Sequence, residues 1–369
     1  MIEKYDFIVV GAGLFGAVFA HAAKRYGKKA LIIEQSDKVG GACYTERRCG
    51  TMVHKFGAHI FHTSDEEVWN FITSFGEFKP YTHQVMAQSD GKLYNLPFNM
   101  NTFYQLFGAK TVGEAKEAIV HDSKVNAAKN LKSFCERNFG TTIYETLVRN
   151  YTQKQWGLDC SILPQSLIER LPMRFEFNNN YFNDRFQGIP VDGYTVLIER
   201  MIEGIERMLN IDYKSFRVVF PEIAAKKVIY CGAIDEFYDY CFGALGYRTL
   251  DWDEEVRQNG QSQGCAVVNF TDSSTPYTRA IEHKWFLGEN PDVTLVSYEK
   301  ASNWRKGKVR YYPIPTKDNL TLYQQYKAFA TTYNPEIVFC GRIGSYQYNN
   351  MDKTIMLARQ LANELCEDK

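Results

Sequence analysis

At 369 residues the chain is long enough for two or three domains with properly buried cores. Forty-three basic residues balance forty-three acidic ones, which removes any global field pulling it onto nucleic acid or anionic lipid, so a polyanionic ligand must be caught by a few local cations. Its apolar runs are strand-length and no signal-peptide pattern precedes the first strand, which predicts a cytoplasmic protein with no membrane or nucleic-acid partner.

In chain order, residues 5–10 form an apolar strand, Gly11-Ala-Gly-Leu-Phe-Gly16 a turn, 17–26 a helix, and 30–33 a second strand ending at Glu34. The spacing of Val68, Trp69, Phe71, Ile72 and Phe75 predicts an amphipathic helix over 65–75. Short strands follow between 82 and 96, with Asp90-Gly91 as a hairpin turn. From 101 to 155 apolar residues recur at helical spacing, over 114–120, 127–138 and 142–151. An irregular aromatic segment fills 171–190. Residues 194–208 read as a helix, 227–230 as a buried strand, and 266–270, 278–285 and 294–299 as strands of an antiparallel sheet. Helix 320–333, strand 337–340 and helix 351–365 return to α/β logic. The order predicts an α/β protein: a discontinuous Rossmann-like FAD-binding domain (1–78, 187–235 and 316–369), a helical insert domain (99–155) and an antiparallel sheet domain for substrate (79–98, 156–186 and 236–315).

Gly11, Gly13 and Gly16 follow a strand and open a helix, and a second strand ends in Glu34, 18 residues after Gly16. In that context the glycines serve a tight turn, a close backbone approach to a pyrophosphate, and helix–strand packing, while Glu34 takes the hydroxyls of an adenosine ribose. Two features favour FAD over a nicotinamide. Gly40-Gly41 gives a second close backbone approach soon after Glu34. Gly341-Arg342 and the loop after it bring another helix N-terminus, capped by Asn350 or Asp352, toward the negative edge of a reduced flavin.

Three histidines fall at His54, His59 and His62, without Cys or carboxylate ligands at supporting spacing, so no metal site is expected; His59 suits a hydrogen bond to cofactor or substrate. The nine cysteines show no CxxC pairing and are read as reduced. Arg174 and Arg279 lie in aromatic, apolar surroundings and must meet an anion: a diphosphate, or an internal carboxylate such as Glu176 or Glu282. Aromatics reach 15% of the chain, and the segments around Tyr151, Trp156 and Tyr181 combine ring faces with amides and hydroxyls suited to a pyrimidine. Tyr311-Tyr312, Tyr346 and Tyr348 add phenols near the flavin end.

Longer segments then match a known family. Gly-Gly-x-x-Tyr-Thr-Glu (40–46), Lys-Phe-Gly-Ala-His-Ile-Phe-His-Thr (55–63), Asn-Leu-Pro-Phe-Asn-Met-Asn-Thr-Phe (95–103) and Tyr-Thr-x-Lys-Gln-Trp-Gly (151–157) occur in order. Asn-Asn-Tyr-Phe-x-Asp-Arg-Phe-Gln-Gly-Ile-Pro (179–190), Phe-Gly-Ala-Leu-x-Tyr-Arg (242–248) and Thr-Pro-Tyr-Thr-Arg (275–279) with Ile-Glu-His-Lys behind it complete the set. Together they resemble bacterial UDP-galactopyranose mutases over nearly the whole chain. The resemblance implies an isomerase that interconverts UDP-galactopyranose and UDP-galactofuranose through a sugar–flavin N5 adduct, with reduced FAD, no net redox change, and a homodimeric assembly. It implies roles for Arg174 and Arg279 on the diphosphate and for Tyr181 on uracil, with Arg174 on a mobile loop. Tyr151, Thr152 and Trp156 would shape the nucleotide site, and Asn269, Tyr312 and Tyr348 would face sugar and diphosphate. Around the flavin it implies Gly11, Gly13, Phe15, Gly16, Glu34, Gln35, Gly41, Ala42, His59, Ile60, Arg342, Asn349 and Met351. His83 stands where the family has asparagine, and Ala42-Cys43 where it has Asn-Ala. A flavin oxidase and a non-catalytic binding protein of the same fold are the rival readings.

Overall fold

The computed structural model describes residues 4–124, 127–169, 171–258 and 261–367. A parallel sheet takes strands from both ends and the middle of the chain, in the order Glu206–Met208, Ala30–Ile33, Lys4–Val10, Ala224–Tyr230, Ile337–Phe339. Its first strand is apolar on both sides because both are covered. Phe7 and Val9 pack under the helices Leu14–Arg25 and Met351–Cys366, and Tyr5 and Ile8 pack on the side of Phe216 and Tyr230. Alanines make the helix contact close: Ala17, Ala20, Ala358 and Ala362 all share that core.

A second sheet runs Tyr312–Pro313, Tyr247–Gln258, Val293–Asn303, Arg279–Glu282, Val267–Phe270, Val85–Ser89, Lys92–Leu96. Its core is shared with the helices Met100–Phe107, Val112–Asp122, Leu131–Asn138 and Arg149–Trp156. A small antiparallel sheet of Phe61–Thr63, Phe186–Pro190 and Phe78–Pro80 adds a third layer of pairing. Among the described residues no helix is long and apolar enough to cross a membrane.

Several expectations need correction. The first helix starts at Leu14, inside the glycine turn, rather than at 17. The helix expected over 194–208 ends at Met201; Gly204 has φ of 67° and breaks it, and Glu206–Met208 pairs with Ala30–Ile33 as an edge strand. The strand expected over 278–285 stops at Glu282, and Lys284–Leu287 makes a helical turn. One pair in the second sheet is parallel, Val267–Phe270 with the strand Val85–Ser89, which the long connection between them permits. The last stretch of the insert contains a π-helical segment, Tyr144–Val148, before Arg149–Trp156.

The glycine turn is set by space as well as conformation. Gly11 has φ of 107°, and a Cβ on Gly16 would sit 2.0 Å from the Gly11 carbonyl oxygen and 3.1 Å from Val9 Cγ1. Gly16→Ala is therefore expected to cost about 1–3 kcal/mol and to lower cofactor retention. A urea unfolding midpoint equal to that of the parent chain would refute this.

Candidate active site

Most of the candidate substrate residues gather at a cavity of about 480 Å³. Strand register builds its polar wall. Asn269 lies opposite Arg279 on one neighbouring strand, and Arg279 lies opposite Glu299 on the other. Side chains paired in this way share a face of the sheet, so Asn269, Arg279 and Glu299 form a row. Arg279 donates from Nε (2.8 Å) and Nη2 (2.6 Å) to Glu299 Oε2, and Thr278 donates from Oγ1 to Oε1 (2.7 Å). The internal partner is thus Glu299, not Glu282, whose carboxylate accepts from Thr294, Trp285 and Ser262. Burial works against the charge on Arg279, but Glu299, Tyr151 and Tyr312 together outweigh it and hold the guanidinium well above its usual pKa. The committed edge leaves the rest of the guanidinium at the cavity, which Arg279 and Asn269 both line. Gly57 runs beside this pair with φ of 116°, a backbone angle that favours glycine, and a Cβ there would stand in ordinary contact with Arg279 Nη2 at 3.5 Å.

Aromatic and amide groups close the other walls. Tyr151, Thr152, Gln155 and Trp156 project from the helix Arg149–Trp156, and Tyr312 and Tyr348 face them, with Trp156 and Tyr312 ring centroids 6.2 Å apart. Burial raises the phenols of Tyr151 and Tyr312, so both remain hydrogen-bond donors at neutral pH. The neighbouring phenols go elsewhere: Tyr346 donates to the carbonyls of Gly246 and Ile314, and Tyr311 accepts from Trp252 Nε1. Tyr181 and Phe182 come from the 171–183 loop. Phe182 stacks on His62 at 3.7 Å and also against His83, with Tyr181 edge-on to His83.

His59 and His83 are neutral polar groups. His59 Nδ1 lies 2.6 Å from the Gly57 carbonyl, which fixes the proton there and leaves Nε2 as an acceptor. Burial, then the nearby Arg342 charge, pushes His59 down to about 4, and burial together with Arg279 takes His83 down to about 3. Tyr81 OH lies 3.4 Å from His83 Nδ1.

Arg174 is placed differently from Arg279. It is not among the cavity-lining side chains; it donates to the carbonyls of Asn178 and Asn180 and to Asn183 Oδ1, beneath the loop that carries Tyr181. Its expected carboxylate, Glu176, is no hydrogen-bond partner. Asn99 holds the same loop from the other side, donating to the Asn178 carbonyl and Asn179 Oδ1.

The glycine turn, Glu34 and the N-terminus of the C-terminal helix carry the groups a dinucleotide would need. The helix Leu14–Arg25 begins at Gly13 with no side-chain cap, so its first N–H groups are left for an anion, and Phe15 and Gly16 lie in that first turn. Glu34 accepts from Ala12 N (2.8 Å) and from Ser36, which aims it across the turn, with Gln35 exposed beside it. Gly41 passes so close to Gly13 that its Cβ would lie 3.0 Å from Gly13 Cα, and Ala42 is exposed next to it. Asn350 occupies the N-cap position of Met351–Cys366, but neither it nor Asp352 caps as expected: Asn350 makes no side-chain cap bond, and Asp352 accepts only from Lys353 N. Arg342 donates to the Asn349 carbonyl (2.9 Å), and Arg342, Asn350, Met351, His59 and Ile60 all line the cavity. Sequence reasoning missed Glu299, Gln155, Phe182, Asn183 and Asp184. The first depends on strand register, whereas the others lay inside motifs whose neighbours were chosen.

Two family models match: UDP-galactopyranose mutase over residues 146–348 and an NAD(P)-binding Rossmann-like domain over 9–75. A probable UDP-galactopyranose mutase of Klebsiella pneumoniae is 38% identical, over 98% of this chain and 95% of its own. A dTDP-fucopyranose mutase of Escherichia coli is 35% identical, over 96% of this chain and 97% of its own. The crystal structure of a reduced UDP-galactopyranose mutase superposes with a TM-score of 0.78 at 13% identity, covering 98% of this chain and 93% of that one.

Buried neutral histidines make a stability prediction. His54, His59, His83 and His283 all have folded pKa values below the ordinary 6.5, chiefly through burial. The unfolded chain binds more protons below about 6.5, so their contribution is complete above that pH and is lost as pH falls toward about 4. The urea midpoint should be lower at pH 5 than at pH 7.5; equal midpoints would contradict the assignment.

Proposed function

The chain belongs to the UDP-galactopyranose mutase family, and from that premise we propose that it interconverts UDP-galactopyranose and UDP-galactofuranose with reduced FAD and no net redox change. The observation that carries the reading is Arg279, braced on one edge by Glu299 and open on the other to a cavity walled by Tyr151, Trp156, Tyr312 and Tyr348. A guanidinium fixed in this way offers directed donors to a diphosphate, and they strengthen as UDP becomes a leaving group. Tyr312 and Tyr348 donate phenolic hydrogen bonds to the same oxygens, and Asn269 fixes sugar or phosphate from the neighbouring strand.

Tyr181 stacks on the uracil while Tyr151, Thr152 and Trp156 shape the base and ribose pocket. His83, a neutral imidazole, contacts the nucleotide where the family has asparagine. His59 accepts a hydrogen bond from cofactor or substrate and carries no charge at neutral pH. The turn at Gly11, Gly13 and Gly16 with Gly41 would hold the FAD pyrophosphate, Glu34 its ribose, and Arg342 with the N-terminus of Met351–Cys366 the flavin ring. Held by these residues, reduced FAD would supply the nucleophile for displacement of UDP at the sugar's anomeric carbon. Arg174 comes to the diphosphate when the 171–183 loop exchanges its internal carbonyl contacts for substrate.

The E. coli relative makes dTDP-fucopyranose the competing substrate, so both belong in the assay. Dithionite-reduced protein incubated with UDP-galactofuranose should yield UDP-galactopyranose on chromatography, with no net consumption of reductant. Stoichiometric oxidation of the sugar would refute the mutase reading. Arg279→Ala and Arg174→Ala should each lower kcat about 10²-fold or more while retaining bound flavin. Normal turnover in both would remove the arginines from the site.

A further inference from the structure

Arg248 is a cation almost wholly withdrawn from water, 3% exposed, and it forms no ion pair with a carboxylate among the described residues. Its guanidinium donates from Nε to the Gln155 carbonyl (2.8 Å), from Nη2 to the Lys154 carbonyl (2.9 Å), and from Nη1 to Asn303 Oδ1. Those carbonyls are the unpaired C-terminal acceptors of the helix Arg149–Trp156, where the helix dipole favours positive charge. The next residue, Gly157, has φ of 68°, and a Cβ there would lie 2.3 Å from Arg248 Nη1. The glycine therefore both ends the helix and makes room for the guanidinium. Burial lowers Arg248 only to about 10, so it stays charged at neutral pH.

Lys154, on the same helix, grips in the opposite direction. Its ammonium donates to the carbonyls of Asp272 (2.9 Å), Thr275 (3.3 Å) and Tyr277 (2.8 Å), in the loop that leads directly into Arg279. On the far side, Arg248 is the register partner of Tyr312, and its own carbonyl accepts from Tyr311 N (2.9 Å). One helix end carrying Tyr151, Thr152 and Trp156 is thus tied by one cation to the strand of Tyr312 and by the other to the loop of Arg279.

We propose that Arg248 and Lys154 are positioning residues for the nucleotide half of the cavity, holding the Tyr151–Trp156 face at a fixed separation from Arg279 and Tyr312. A buried guanidinium with no carboxylate partner is costly, whereas an apolar residue would pack more cheaply, so the cation is kept for the geometry it enforces. Neither side chain need touch substrate. The inference rests on the mutase reading for the identity of the ligand and on the hydrogen bonds for the rest.

The test uses the full, FAD-loaded chain and UDP alone as the probe, in calorimetric titration beside steady-state kinetics. Arg248→Met and Lys154→Met should keep bound flavin and its absorption spectrum, weaken UDP binding about tenfold, and raise KM more than they lower kcat. Arg248→Lys, which restores charge but not the fork, should recover only part of the affinity. UDP affinity within about twofold of the parent in flavin-loaded variants would overturn the proposal. Should Arg248→Met fail to fold, Asn303→Ala frees one arm of the guanidinium and decides the question the same way: weaker UDP binding supports the proposal, unchanged binding overturns it. A parent chain that binds no UDP would overturn the mutase reading, and this inference with it.

Discussion

Everything at the cavity depends on keeping one guanidinium charged, immobile and half available. Arg279 achieves this through strand register, with Asn269 on one side and Glu299 on the other. Glu299 is fully buried, and two opposite charges withdrawn from water are tolerable only when their geometry is good and their remaining lone pairs are used. Thr278 uses one of them, on the second carboxylate oxygen. The cost of this arrangement is that Glu299 neutralises Arg279, so the pair draws an anion by directed donors rather than by net charge. The uncompensated positive potential must come from Arg342 and the N-terminus of Met351–Cys366, which lie on the other rim. This division suits a chain whose basic and acidic residues balance. Local geometry, not global field, supplies the attraction.

The surrounding polar groups follow the same economy. The phenols of Tyr151 and Tyr312 and the imidazoles of His59 and His83 are all kept neutral by burial. Neutral donors and acceptors of fixed direction discriminate between ligands without adding charges that would each need a counterion. The loop with Tyr181 is held differently, by Arg174 and Asn99 gripping its backbone carbonyls, which ties its position to contacts that a substrate diphosphate can compete for.

What could be read from the sequence was what local chemistry dictates. The glycine turn, Glu34 and the hairpin turn at Asp90-Gly91, with φ of 49° and 77°, each follow from a few adjacent residues. The strand Tyr247–Gln258 was missed because its outer half, Asp253 to Gln258, is largely exposed and charged and shows no apolar alternation. The tail of the 194–208 segment was misread because an edge strand as polar as Glu206–Met208 carries no hydrophobic signature. Glu299 as the partner of Arg279 could not be found, since twenty residues of sequence separate them and only pairing register joins them. The segments matched to a family were recognisable as strings, yet why Lys154, Gly157 and Arg248 belong in them emerges only when helix end and strand are seen together.

The central claim is that Arg279 recognises a diphosphate, and it is tested most directly by comparing UDP with uridine as ligands of the flavin-loaded chain and of Arg279→Met. The account predicts that the parent binds UDP far more tightly than uridine, and that this difference nearly disappears in Arg279→Met while uridine affinity changes little. An undiminished preference for UDP in the variant would contradict it.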